Sequence, residues 1–477
     1  MSVLNSLDIV SRDPIEVVVK KIKSGEVKVV DLVKEHIKLA KDINKYINAF
    51  ISFTEDLALQ EAERIDYSIR KKDTQVLSKK LLGIPFTVKD LYLVEKTKTT
   101  FASKYMQDFI APYTATVVKR CMDEGAILIA KCNCDPWGYG ASGENSGFGP
   151  TKHPLDFTRT PGGSSSGSAA SLLAGVGYFS LATDTGGSVR LPASFCGLYG
   201  FKPTYGRNSR YGIGAMASSF DTPGFFARYI QDIQLLQSIM EGKDNNDATT
   251  FDLSKISYID KNLSSFKVAI PKEFFTDGIN KSVRQAIDRY IEFLKPQVKL
   301  IQEVSIPTVE YALAVYYILV PAEISSNQAR YDGVRYGPQL FDDYTKNLLT
   351  GRSIFFEKEV KRRIIIGTYV LSKGYADQYY HRALLVREKL KKEFQDIFKE
   401  FDIVLSPVSP VTAFKLGEKV NDPLQMYLVD VFTVVANLVG IPAISIPVGS
   451  DSNGMPIGIQ AMADNFNDYL LFKLPTL

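Results

Sequence analysis

The sequence of 477 residues predicts an α/β fold on three observations. Short apolar runs alternate with stretches of helical period. Two such runs, "LLGIPFTVKDLYLV" and "AILIAKCN", flank one helix-like segment at 114–124, and the alternation restarts at about residue 266. In order, residues 14–42 carry the 3.6-residue spacing of Ile15, Val18, Val19 and Ile22, then Val30, Val33 and Ile37, with a break near Gly25. A second helix is expected over 55–70, so that residues 1–70 form a helical region packed on the core. The two buried strands follow, then a glycine-rich block to about residue 240, the composition of loops that approach a ligand closely. Beyond it come a strand at "KVAIP", a helix over 280–296, a strand in "VKLIQEVSIP" and helices near 309–329, 357–372 and 374–400. Strands at "DIVLSPV" and "AISIPVG" complete the pattern. No repeat or linker divides the chain, and residues 1–477 are expected to form a single domain.

Composition narrows the function. Hydrophobic residues are 45% and charged residues 23%, values of an ordinary folded protein. The net charge of +4, from 57 basic and 53 acidic residues, is too small to argue for direct nucleic-acid binding. The start, "MSVLNSLDIVSRDPIEVV", lacks the pattern of a signal peptide. The apolar "VFTVVANLVGIPAISIPVG" is interrupted by Asn437, Gly440 and Pro442, so a helix, a turn and a buried strand are expected there, not a membrane span. Four cysteines, Cys121, Cys132, Cys134 and Cys196, suit a reducing compartment, and a cytoplasmic setting is expected. "CNC" has no second Cys/His pair at zinc-like spacing, so no metal is expected.

The chemistry is concentrated in "TPGGSSSGSAASLLAGVGYFSLATDTGGSVRLPASFCG", residues 160–197. Two Gly/Ser turns flank an apolar segment there. Neither turn ends as a P-loop or matches a dinucleotide fingerprint, which argues against a phosphate cradle. The other use of free backbone N–H groups is an oxyanion hole, and Ser188 after Gly186 and Gly187 offers a nucleophile beside it. Of the three histidines, His36, His153 and His381, each is read as surface or structural. Lys89 interrupts an apolar run; by itself it suits a strand-end amine reaching water, and if buried it becomes a base, because desolvation favours the neutral amine. Ser164, Ser165, Ser166 or Ser168 could pass a proton between Lys89 and Ser188.

"GGSSSGSAA", then "DTGGSVRLP" with Ser188 lying 24 residues after Ser164, and "GIPFTVKD" upstream together resemble the amidase signature family. The resemblance implies a large twisted mixed β-sheet covered on both faces by helices. It implies a Ser-cisSer-Lys triad of nucleophile Ser188, bridging Ser164 and base Lys89. It further implies an oxyanion hole from the N–H groups of Thr185, Gly186, Gly187 and Ser188, with support from Ser165. Asp184 and Arg190 belong to the same signature and are expected to brace the turn. Within the family, "GENSGFGPTKHP", "SSNQARYDGVRYG", "EKEVKRRIIIGTYVLSKGYADQYY" and "NDPLQMYLVD" resemble the glutaminase A subunits of tRNA-dependent amidotransferases. That implies a glutamine pocket with Arg363 on the α-carboxylate, Asp430 on the ammonium and Tyr316 lining it. It implies B and C subunits as partners, and conversion of Glu-tRNA(Gln) to Gln-tRNA(Gln) with ATP and Mg used in the B subunit; this chain would carry no cofactor. The alternatives are a stand-alone amidase for small aliphatic or aromatic amides, and a non-catalytic phosphate-binding module. Departures from the family pattern are Ser166 for a glycine, Leu173 for a small residue, Asp135-Pro136-Trp137 for Asp-Glu-Phe, and an ending at "LLFKLPTL" before the usual last helix.

Overall fold

The computed structural model describes residues 13–420 and 422–477; most of the segment read for a signal peptide, and Asn421 of "NDPLQMYLVD", lie outside them. The described strands are β1 (Phe50–Phe53), β2 (Pro85–Lys89), β3 (Ile127–Cys132), β4 (Phe179–Asp184), β5 (Tyr199–Lys202), β6 (Thr222–Ala227), β7 (Lys267–Pro271), β8 (Leu300–Val304), β9 (Ile403–Pro407), β10 (Ala443–Ser450) and β11 (Pro456–Met462). They form one 11-stranded sheet in the order β1-β3-β2-β4-β6-β5-β10-β11-β9-β7-β8. The sheet is mixed. β2 runs parallel to β3 and β4, β7 runs parallel to β8 and β9, and the strands between β4 and β9 pair antiparallel.

Both faces are covered, and the side-chain alternation of the strands shows why. Ile403 and Leu405 of β9 enter one hydrophobic cluster while Val404 between them enters the other. Val268 and Ala269 of β7 divide in the same way. The first cluster is roofed by the helices Ile15–Ser24, Val29–Ile47, Glu55–Arg70 and Lys281–Leu294, the second by Ala312–Asn327, Lys358–Val370 and His381–Phe398. The break expected near Gly25 is a helix end at which Gly25 takes φ 81°, a conformation glycine adopts at little cost.

Four strands depart from the expected pattern: β5 falls within the block expected as loops, and of the other three, two depart because of their own composition. β6 ("TPGFFA") and β11 ("PIGIQAM") carry Pro and Gly, residues that weaken a strand reading. In the fold a Cβ on Gly224 would meet the Phe201 carbonyl of the neighbouring strand, and one on Gly458 would meet Ser445 and Ser194. The glycines are therefore what close packing at these positions requires. The third, β1, places a strand within the helical region expected over residues 1–70, at the sheet edge against β3. The apolar run from Val431 resolves into the helix Val434–Val439, a left-handed Gly440 and β10. Among the described residues no helix is long and apolar enough to cross a membrane.

Candidate active site

Parallel strands deliver their carboxyl ends to one edge of a sheet, and three such ends build the site. β2 ends on Lys89, β3 leads into Asn133–Asp135, and β4 ends on Asp184. The first Gly/Ser turn is stitched to the chain beyond β3: the Asp135 amide donates to the Ser164 carbonyl at 3.1 Å and the Gly167 amide to the Asn133 carbonyl at 2.9 Å. A Cβ on Gly163 would collide with Asp135, so glycine is needed for this approach. The Gly163–Ser164 peptide is cis.

Lys89 does not reach water; it is 0% exposed. Its Nζ donates to Ser164 Oγ at 2.7 Å, Ser165 Oγ at 3.0 Å and Thr183 Oγ1 at 3.0 Å. Burial pushes the amine down to about 8, with Cys134 and Asp135 opposing that fall. Three hydroxyls thus surround an amine that titrates close to neutrality. Thr183 was not singled out in the sequence; its signal is a second polar position in the apolar run "FSLATD". The histidines play no part here. His36 and His153 are buried and held neutral, at about 3 and about 4, chiefly by desolvation, and His381 is an exposed partner of Asp377.

Ser188 stands at the end of the second turn, partly exposed, directly before the buried Val189. The turn is held from below by an ion pair with 0% exposure on both sides, Arg190 Nη2 to Asp184 Oδ1 at 2.8 Å. Arg190 also donates from Nε to Asp184 Oδ2 at 3.1 Å, from Nη1 to the Thr433 carbonyl at 2.8 Å and to Gln460, and from Nη2 to Asn437 Oδ1 at 2.6 Å. Burial acts to raise the Asp184 carboxyl, but the Arg190 charge and hydrogen bonds outweigh it and hold the group at about 2. The pair is a brace, not an incidental surface contact.

The expected oxyanion donors divide in two. Gly187 N–H is donated to Asp184 Oδ1 at 2.9 Å, so in this structure it is committed to the brace. Among the described residues the amides of Thr185, Gly186 and Ser188 have no protein acceptor. The Thr185 side chain is fixed by Asp221, whose Oδ1 accepts from Oγ1 at 2.7 Å while Met216 N–H donates to Oδ2 at 2.9 Å. Tyr316 lies directly over Gly186, where a Cβ would strike its ring.

The three residues expected in a substrate pocket lie within electrostatic reach of one another, while the cavity beside Arg363 is not lined by Asp430, Tyr316 or Ser188. Arg363 is 3% exposed and donates from Nε to Glu359 Oε1 at 2.8 Å. Its guanidinium lies 5.3 Å and 5.7 Å from the ring centroids of Tyr317 and Tyr427, whose rings stack at 3.9 Å. The two Nη groups have no protein acceptor among the described residues, and Arg363 lines a small cavity with Ser142, Asn145, Glu359, Met426 and Tyr427. Asp430 is 9% exposed and its side-chain carboxyl accepts no protein hydrogen bond among the described residues; burial raises that carboxyl well above the usual range, with Arg363 opposing. Glu359, like Thr433, Asn437 and Gln460, has no role legible in the sequence, because a polar residue on a helix, at a helix start or on a strand gives no local sign of a partner far away in the chain.

Three of the four departures from the family pattern are absorbed by packing. Trp137 is buried with φ 48°, against Tyr331 and Phe356 at 5.2 Å and 5.3 Å between ring centroids. Ser166 opens the helix Ser166–Leu173 and bonds Thr151 Oγ1 at 3.1 Å. Leu173 packs beside the small cluster of Ala169, Leu172 and Phe226. All four cysteines are buried free thiols.

The amidase family model matches residues 31–472. The chain belongs to the amidase family. Among amidase relatives, it is 46% identical over 449 residues to the second glutamyl-tRNA(Gln) amidotransferase A subunit of Clostridium acetobutylicum, covering 93% of each chain. It is 43% identical over 452 residues to the corresponding A subunit of Thermoanaerobacter pseudethanolicus, covering 94% of this chain and 92% of the relative. The crystal structure of the glutamyl-tRNA(Gln) amidotransferase A subunit from Thermotoga maritima matches with a TM-score of 0.79 at 36% identity, covering 97% of this chain and 93% of that one. A crystal structure described as an amidase matches as well in shape, at 0.81, but at 27% identity. The amidase fold therefore does not separate the two groups, and the sequence does.

Proposed function

We propose that this chain is the glutaminase subunit of a tRNA-dependent amidotransferase, releasing ammonia from glutamine at Ser188 for amidation of Glu-tRNA(Gln). The observation that carries the reading is a buried guanidinium edge, left open on Arg363 beyond its ion pair with Glu359, together with the buried Asp430 carboxyl, neither of which has a protein hydrogen-bond partner among the described residues. A desolvated carboxylate without a partner is costly, and so is a guanidinium edge without an acceptor. A free α-amino acid supplies both partners: its carboxylate fits the open Nη edge of Arg363, and its ammonium neutralises Asp430. A simple amide supplies neither, which argues against the stand-alone amidase.

In this reading neutral Lys89 accepts the Ser164 proton as Ser164 accepts that of Ser188. Ser188 Oγ then bonds the glutamine Cδ, and the oxygen that becomes negative takes the free amides of the turn. The proton returns to the departing nitrogen, which leaves as ammonia. Water attacks the acyl-enzyme by the reverse route, releasing glutamate and restoring the Ser188 hydroxyl. A B subunit would use ATP and Mg to activate the glutamyl-tRNA and a C subunit would join the pair. The names of the relatives support such an assembly, and the small net charge of this chain suits RNA contact through a partner. Four free thiols suit a cytoplasmic setting.

The test is ammonia release from L-glutamine by the chain alone and with its B and C partners, ATP and Glu-tRNA(Gln). Glutamine turnover stimulated by the partners is expected; turnover confined to simple amides and indifferent to partners would overturn the reading. Arg363→Lys, which loses the planar fork, and Asp430→Asn are each expected to raise the glutamine KM by about 10- to 100-fold, the scale of one charge-assisted contact. Equal kcat/KM losses on glutamine and on a simple amide would count against the pocket assignment. The base must be neutral to act, and Lys89 is protonated below about 8. Turnover is therefore expected to rise with pH about tenfold per unit below that value and to level off above it, a limb read from a kcat/KM profile.

A further inference from the structure

Thr433 is not among the residues the family motifs single out, yet it touches three elements of the site. Its hydroxyl lies 2.7 Å from the Gly186 carbonyl and 3.1 Å from the Asp430 carbonyl, so its single proton serves the Gly186 bond first. Its own carbonyl accepts from Arg190 Nη1 at 2.8 Å and its amide donates to the Asp430 carbonyl at 3.0 Å. A Cβ on Gly187, at φ 134°, would collide with the same hydroxyl, so the turn and Thr433 are in direct contact. The peptide joining Gly186 to Gly187 is consequently gripped at both ends, its carbonyl by Thr433 and its N–H by Asp184. Fixing that plane fixes the neighbouring peptides, which carry the uncommitted N–H groups of Gly186 and Ser188.

We propose that Thr433 is a positioning residue for the oxyanion turn, holding the Gly186 peptide through its hydroxyl and linking that turn to the Asp430 end of the substrate pocket. The proposal rests on acyl transfer at Ser188 and not on which amide is the substrate. Where glutamine is the substrate, the same short segment presents the carboxylate that takes its ammonium and aligns the donors on which turnover depends. Binding at one end is thereby tied to geometry at the other.

The experiment compares Thr433→Val and Thr433→Ser in the assembled complex. Val keeps the shape and loses the hydroxyl; Ser keeps the hydroxyl and loses a methyl. Thr433→Val is expected to lower kcat about 30-fold with KM changed less than threefold, the range for a displaced oxyanion donor, whereas Thr433→Ser keeps kcat within about threefold. A purely packing role would give the opposite order, with Ser the poorer variant, and that order would overturn the proposal. So would Thr433→Ser falling as far as Thr433→Val. Should Thr433→Val lose its cooperative thermal transition, the serine variant alone decides by the same limit. Kinetics of Ser188 labelling by a fluorophosphonate, whose phosphoryl oxygen occupies the place of the acyl oxygen, is the second readout and is expected to follow kcat. If the parent hydrolyses simple amides but not glutamine, the glutamine reading fails, while the Val-against-Ser order on those amides still scores Thr433.

Discussion

Lys89→Met is expected to lower glutamine turnover by about 10³- to 10⁴-fold, the range for loss of a positioned general base, while leaving the protein folded. The two halves of this expectation have one physical source. Burial has moved the amine from an ordinary value of 10.5 to about 8, which means that the site holds the charged form at a cost. Methionine fills a similar volume without that cost, and the hydrogen bonds lost are to neutral hydroxyls, each of net value about 1 kcal/mol. Ser165 retains a bond of its own, donating to the Thr183 carbonyl at 3.3 Å. Ammonia release and a thermal melt on the same preparation decide the matter. A fall in turnover below tenfold, with the melt unchanged, would remove Lys89 from the role of base.

Arg190→Lys is expected to have the largest effect on stability, a loss of about 3–5 kcal/mol, with kcat falling alongside. The guanidinium serves Asp184 twice, the Thr433 carbonyl, Asn437 and Gln460, in one plane and with 0% exposure. An ammonium has three donors in a different geometry and cannot meet five demands. What remains is a buried carboxylate and two buried amide oxygens short of donors. Asp184 is held at about 2 in the fold against roughly 3.9 when unfolded, so its contribution is present at neutral pH and is lost as pH falls from about 4 toward 2. Urea unfolding of parent and variant at pH 7 measures the loss. An unchanged midpoint together with unchanged turnover would mean that the brace holds nothing the site requires.

The features of this molecule that are legible in its sequence are those whose causes are local. The helix Ile15–Ser24 buries Ile15, Val18, Val19 and Ile22 because a 3.6-residue period places them on one face. The two Gly/Ser turns are legible because only glycine permits the approaches seen at Gly163 and Gly187. β6 and β11 were not, since the same residue that allows a neighbouring strand to come close also weakens the strand pattern. Lys89 stood out as an interruption, but its burial depends on β4 lying beside β2, a pairing between residues more than 90 positions apart. Asn437 and Gln460 meet Arg190 across 247 and 270 residues, and no spacing in the chain announces such a meeting. Arg363, Asp430 and Tyr316 were reached through resemblance alone; the structure adds that the Arg363 Nη groups and the Asp430 carboxyl have no protein hydrogen-bond partner among the described residues. The Gly187 amide shows the opposite limit, because a motif names the donors of a turn but not which of them the fold has already engaged.

The brace also sets an order in time. Lys89, Ser164 and Ser188 are all made within the first two fifths of the chain, whereas the groups that clamp the nucleophile turn, Thr433, Asn437 and Gln460, come in its last tenth. A chain emerging from the ribosome therefore exposes a serine and its base long before it owns the framework that makes them reactive. Fragments cut short of Asp430 share that condition: they hold the reactive groups and lack the clamp. The nucleophile turn in this way acquires its clamp only once the last tenth of the chain has docked against Arg190.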